Sequence, residues 1–291
     1  MTATEPTVAE LEASWAARVR ANREQVDRVR EVPDGKDFYA PVTSLFRADP
    51  RRVDDPVLQA VRDLVVPGET WLDIGAGAGR YALPLGLIAE EVIAVDPSSG
   101  MLRALRELMA EYDVPNIRVL DGRWPPDADL AGTLGAFPCA DVALIAHVGY
   151  DIEQIGPFVD AMEAAVRRLC VGVFMERQPA ALADPFWPLV HGEARIGLPA
   201  LPEFIALLNA LGRRPEVKIV EQEARTFESC AELGRFLRRQ LWIADGGEKE
   251  RRFFAALDEL CVEADGGHRI RNQPQLPIGV VTWRPDGVRG A

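Results

Sequence analysis

The stretch ETWLDIGAGAGR, residues 69–80, decides how this chain is read. It opens as a short apolar run of the kind that forms a buried strand. Three glycines, Gly75, Gly77 and Gly79, follow at once. Residues 81–89 are apolar on all sides, as a helix packed against a sheet would be. Glycines between strand and helix allow a tight turn and let backbone N–H groups approach a ligand near the helix's positive end. The next strand, EVIAVD, ends in Asp96. A carboxylate at that tip can accept hydrogen bonds from both hydroxyls of a ribose. The combination predicts a nucleoside site; the plainer alternative is a structural turn, with Asp96 capping the next helix.

Strand and helix patterns alternate on both sides of this loop. Residues 7–31 place Val8, Leu11, Trp15, Val19, Val26 and Val29 at helical spacing among charges, and a helix near 56–65 precedes the loop. Pro84 removes a donor inside the 81–89 helix, so a late start or kink is expected there. Met101, Leu105, Leu108 and Tyr112 mark one face of the next helix, with Ser98 as its N-cap. Further strands fall at 116–121, 140–148 and 170–175, and Ile152, Ile155, Val159, Met162, Val166 and Leu169 read as one more helix. Such alternation implies right-handed crossovers and a parallel sheet. Beyond Glu176 comes a proline-rich stretch. A helix at 202–211, a strand at 216–223, helices near 229–243 and 248–264, and a terminal strand at 277–283 follow. Ser229 with Glu232 fits a capping box. The expected organisation is a helical cap and loop over 1–55, a core over 56–176, and an elaboration over 177–291 whose last strands complete the sheet.

The 291 residues are 48% hydrophobic, too apolar for a disordered chain, and a net charge of −12 counts against nucleic acid as a partner. No apolar run approaches the roughly 20 residues a membrane span needs. The first residues are polar and lack a secretory core, so a cytoplasmic location is expected. Cys139, Cys170, Cys230 and Cys261 form no C-x-x-C and read as buried small apolar residues. His191 and Glu193 have no visible third partner, so no metal site is expected.

A dinucleotide fingerprint would need glycine where Arg80 stands. The spacing Asp73-x-Gly75-x-Gly77-x-Gly79 instead resembles motif I of the class I S-adenosylmethionine-dependent methyltransferases. The likeness extends over about residues 67–176 and, more loosely, to 277–283. It implies a Rossmann-like, doubly wound, mostly parallel α/β sheet with an N-terminal helical cap and a C-terminal helical elaboration. It also implies S-adenosylmethionine as cofactor. By resemblance, Asp73 lies near the methionine amino group, Asp96 at the ribose, and Asp121-Gly122 at the adenine. Ala76, Pro97, Met101, Arg123 and Trp124 flank these positions. Trp124 either covers the adenine or anchors its loop. The stretch His147 to Asp151 falls at motif IV, beside the transferable methyl. With Ala146 before it, the stretch reads AHVGYD and lacks the D/N-P-P-Y/F of enzymes that methylate exocyclic amines, which favours a small or medium-sized acceptor. The alternatives are an RNA or protein acceptor, a module that binds the cofactor without turnover, and an NAD(P) oxidoreductase.

Methyl transfer from a sulfonium is an in-line displacement, so the protein mainly aligns the acceptor and excludes water. A base is needed only if the acceptor must lose a proton. His147, at the end of a central strand, is the first candidate for that role, or else a histidine that only positions its surroundings. Tyr150 either orients substrate or packs. His191, Glu193 and Arg195 either bind a polar acceptor or form a surface ion-pair cluster. Phe38-Tyr39 are candidates to close the pocket from the N-terminal side.

Overall fold

The structure, a computed structural model, describes residues 6–33, 47–264 and 266–285. Phe38 and Tyr39, expected to close the pocket, lie outside the described residues. The near-continuous apolar runs become central strands covered on both faces, as parallel sheets require. The strands β1 (Thr70–Ile74), β2 (Glu91–Asp96), β3 (Ile117–Asp121), β4 (Ala140–Ala146) and β5 (Val166–Met175) run parallel. Beside β5, β9 (Ile278–Trp283) runs antiparallel and pairs in turn with β6 (Glu216–Val220), giving the order β3-β2-β1-β4-β5-β9-β6. The order reverses direction at β1 and β4, and a ligand crevice opens beyond the carboxyl ends of strands at such a switch point.

Helices cover both faces. The helix α1 (Val8–Val29) packs against the helices that follow β4 and β5; α2 (Pro56–Arg62) precedes β1. The crossovers are α3 (Ala82–Gly86), α4 (Ser99–Tyr112), α5 (Ala128–Leu134) and α6 (Ile155–Ala164). Pro84 is the third residue of α3. There its missing N–H has no intrahelical partner to lose, so the helix is short rather than kinked. Ser98 caps α4 as expected, accepting from the Met101 N–H at 3.2 Å. The helix α5, capped by Asp127, was not anticipated.

Val166 and Leu169 belong to β5, not to the preceding helix. Leu169 pairs with Val142 and Val173 with Ala146, and a buried apolar run does not separate helix from strand by periodicity.

After α7 (Trp187–His191) and α8 (Leu201–Ala210), the chain inserts α9 (Cys230–Gln240), α10 (Glu248–Leu260) and a hairpin, β7 (Cys261–Ala264) with β8 (Gly267–Ile270), between β6 and β9. Residues 261–264, expected to be helical, are thus a strand. Ser229 caps α9, but the Glu232 carboxylate accepts from the Glu228 N–H, so the box is not reciprocal. Cys230 and Cys261 correct the cysteine expectation: they form a disulfide, Cα atoms 5.9 Å apart, tying α9 to β7. Cys139 and Cys170 are free thiols.

The cap α1 is held by polar groups as well as by its apolar face. The Trp15 indole donates to the Ile152 carbonyl at 2.9 Å, and the buried Gln25 amide donates to Ala194 O and accepts from Ile196 N–H, both at 2.8 Å. Beneath the sheet, Arg213 grips the buried Glu163 carboxylate through two bonds of 2.8 and 2.6 Å, and the Trp283 indole donates to it at 2.9 Å. Removing one partner of a buried pair leaves an uncompensated charge. Arg213→Ala is therefore expected to lower unfolding stability by about 3–5 kcal/mol in urea titration. A loss below about 1 kcal/mol would show that solvent reaches the pair.

Candidate active site

Gly75, Gly77 and Gly79 all adopt left-handed φ, +76°, +55° and +86°. They differ in what surrounds them. A Cβ at Gly79 would collide with Leu105 and Leu83, and one at Gly75 with Val148; a Cβ at Gly77 would meet nothing within 4 Å. The outer glycines are therefore demanded by packing, and Gly77 faces open space. Asp96, almost fully buried, fixes this turn: Oδ2 accepts from the Gly77 N–H at 2.9 Å and Oδ1 from the Ser98 N–H at 2.8 Å. It does not cap α4, since Ser98 does.

Asp73 is 2% exposed, and its Oδ2 has no hydrogen-bond partner. Burial first, and the neighbouring Asp96 charge second, push its carboxyl up to about 7, against the pull of the Ala82 amide. An ionised carboxylate is costly in such a place unless a cation meets it. The site thus holds an acid prepared for a cationic partner.

Asp121 pairs in register with Asp96, so the two carboxylates stand on adjacent strand tips, Asp121 exposed. Gly122 leaves room for Leu130, and Trp124 is half-buried against the core with its indole nitrogen unpartnered. Ala76 is buried in the turn, and Met101 packs under it with Ala78 and Ala104. Pro97 and Arg123 are exposed beside it. The predicted cofactor residues are therefore gathered along one edge, on the ends of β1, β2 and β3.

His147 leaves β4 with φ +59°, its N–H donating to Val173 O at 2.9 Å. Burial, reinforced by the Arg80 cation and opposed by Asp55, pulls its imidazole down to about 4, so it is neutral at pH 7. Arg80 itself pairs with Asp55 at 3.0 Å, and Arg52 with the same carboxylate at 3.1 Å. Tyr150 packs against Phe174, ring centroids 5.1 Å apart, and its oxygen accepts from the Met175 N–H at 2.7 Å. Burial raises its phenol well above the ordinary value.

His147 and Tyr150 also line a cavity of about 810 Å³ between α1, the ends of β4 and β5, and α9. The glycine loop does not line it. The two regions meet at residues 147–148, where Val148 packs on Gly75 and His147 faces the cavity.

The expected trio of the proline-rich stretch comes apart. His191 does not line the cavity: Nε2 lies 3.0 Å from the Leu241 carbonyl, and its ring lies 4.4 Å from that of Trp187. Burial, then Lys249, pulls it down to about 4. Glu193 pairs with Arg28 at 2.9 Å on the surface. Arg195 alone reaches the cavity, braced by Asp184 at 3.1 Å and stacked over Trp187.

Sequence reasoning missed Arg225, Phe227 and Trp242, which lie in irregular segments, and the α9 face carrying Arg235, Phe236, Arg239 and Gln240. The helical spacing of that last group was the available signal.

Comparison with known proteins follows the same geometry. Residues 72–131 match the family model of a methyltransferase domain. A Haemophilus influenzae protein of uncharacterized function is 27% identical over 188 residues, covering 62% of this chain and 63% of that relative, so the chain spans less than two thirds of the relative's length. The YcgJ protein of Bacillus subtilis matches with TM-score 0.56 at 15% identity, over 79% of this chain and 98% of that one. A Bacillus halodurans protein for which methyltransferase activity has been suggested matches with TM-score 0.55 at 12% identity, over 79% and 100%. These structural likenesses are likenesses of fold. Residues 72–131 are thus similar to a methyltransferase domain, and they lie within a Rossmann-like, mostly parallel α/β sheet.

Proposed function

We propose that the protein transfers a methyl group from S-adenosylmethionine to a small or medium-sized molecule, in the cytoplasm. The observation that carries this reading is the buried Asp73 carboxylate, with its unpartnered Oδ2, beside a glycine loop whose centre is open at Gly77. These residues fit a nucleoside that also carries an ammonium group. When bound, the cofactor supplies a methyl already activated on a sulfonium. Asp73 would hold the ammonium, Asp96 the ribose hydroxyls, and Asp121, Gly122 and Trp124 would border the adenine. Among the described residues no helix is long and apolar enough to cross a membrane.

His147 sits where the loop meets the cavity and is uncharged at neutral pH, so it can accept a proton from an acceptor without first losing one. Its low basicity suits an acceptor whose proton is already acidic.

Three measurements test this reading. Asp96→Ala should weaken S-adenosylmethionine binding by about tenfold or more in calorimetry, the loss of a charged acceptor. Asp96→Asn, which keeps one acceptor for the loop, controls for a disordered turn. Unchanged affinity in both variants contradicts the ribose assignment. Because the folded Asp73 binds its proton more tightly than the unfolded chain does, its contribution to stability is full below about pH 4 and is lost as pH rises through about 7. Ligand-free Asp73→Asn should therefore be more stable than the parent at pH 8. At pH 7 the parent should release protons on binding cofactor, read as a heat that varies with buffer ionisation enthalpy. No release, or uptake, contradicts the ammonium assignment. Finally, the rate should fall in acid with a midpoint near pH 4, and His147→Ala should remove that limb; an unaltered profile leaves His147 no part in proton transfer.

A further inference from the structure

The chain is acidic overall, yet the wall of its cavity is not. Six arginines, Arg23, Arg30, Arg195, Arg225, Arg235 and Arg239, stand on it against three acids, Asp27, Asp151 and Glu232. Several of these arginines are committed to neighbours: Arg23 to Glu153, Arg30 to Asp27, Arg195 to Asp184. Arg225 and Arg235 make no ion pair with any described residue. Glu232, whose charge acts on Arg225 from the same wall, makes no ion pair with it and accepts from the Glu228 N–H at the start of α9.

Arg225 is held in place by rings rather than by a carboxylate. Its guanidinium lies 4.3 Å from the Phe236 centroid and 4.9 Å from that of Phe227. Stacking of this kind orients the planar fork and leaves its N–H edge directed outward, the geometry that receives a carboxylate or phosphate through two parallel bonds. Independently, Arg195 has a side chain only 8% exposed, on the same wall, and its Nε has no partner. The Gln240 Oε1 there is also unpartnered. Between these charges the surface is apolar: Val19, Val26, Leu198, Phe227, Phe236 and Trp242. A cleft with like charges on low-dielectric walls concentrates its field inward, so it gathers anions even into an acidic protein.

We propose that the methyl acceptor is a molecule with an apolar, ring-sized body and one anionic group, the anion seated on Arg225 and Arg235 and the body lying on Phe227, Phe236 and Trp242. This rests on the methyl-transfer reading and names its substrate class. The insertion between β6 and β9 then sets acceptor choice, while the strand tips of β1 and β2 serve the cofactor.

The test uses four probes of one shape, naphthoate, naphthyl phosphate, naphthylmethanol and naphthylmethylammonium, titrated into the full chain with and without S-adenosylhomocysteine. The anions should bind about tenfold or more tightly than the alcohol, and the cation least. Naphthoate against naphthyl phosphate tells which anion the site takes. The preference should weaken with added salt, disappear in Arg225→Gln/Arg235→Gln, and return in Arg225→Lys/Arg235→Lys. No anion binding, equal affinity for anion and alcohol, or a preference that survives the double Gln variant overturns the proposal. Failure of the methyl-transfer reading shows separately, as absence of S-adenosylhomocysteine binding with the anion preference intact.

Discussion

Val148 fills the space that a Cβ at Gly75 would need, and through this contact the two halves of the site become one. On one side, the glycine loop turns with left-handed φ, its Gly77 amide on Asp96 and its Gly75 and Ala76 amides on the Val95 carbonyl. On the other, His147 leaves the end of β4 and enters the cavity wall. Any side chain at Gly75 would push β4's exit away from the loop and part the cofactor edge from the acceptor chamber. The parallel register of β1 with both β2 and β4 puts those exits side by side, so the sheet order is itself a condition of the chemistry.

Charge is arranged against the chain's average. Burial disfavours the charged form of two ionisable groups next to the loop, raising Asp73 to about 7 and lowering His147 to about 4. Asp73 costs stability in the empty protein at neutral pH, whereas His147 does so only in acid. A cationic ligand at Asp73 would recover part of that cost, so that binding and folding are coupled at one carboxylate. The cavity proposed for the acceptor has the opposite sign, with stacked arginines in a protein of net charge −12. Overall charge therefore describes the outer surface and says little about the site within.

That the residues proposed for the cofactor share one edge was legible because the signals are local. Asp73, Gly75, Gly77, Gly79 and Asp96 lie within two adjoining strand–turn–helix units, where backbone sterics and strand-end geometry leave few alternatives. The acceptor chamber was not legible: its wall runs from Val19 to Trp242, and only the insertion between β6 and β9 brings those positions together. Local reading failed in an instructive way at His191, Glu193 and Arg195. Adjacent in sequence, they point in three directions, because α7 ends at Gly192 with φ +78° and sends the following residues along α1. Val166 and Leu169 were misread for a different reason, since burial on both faces erases the periodicity that tells strand from helix.

A crystal structure with S-adenosylhomocysteine would test the central claim most directly. The account places the ligand's amino nitrogen about 3 Å from Asp73 Oδ2, its ribose at Asp96, and its sulfur toward His147 and the cavity. A ligand seated elsewhere, or an Asp73 Oδ2 still without a partner in the complex, would contradict it.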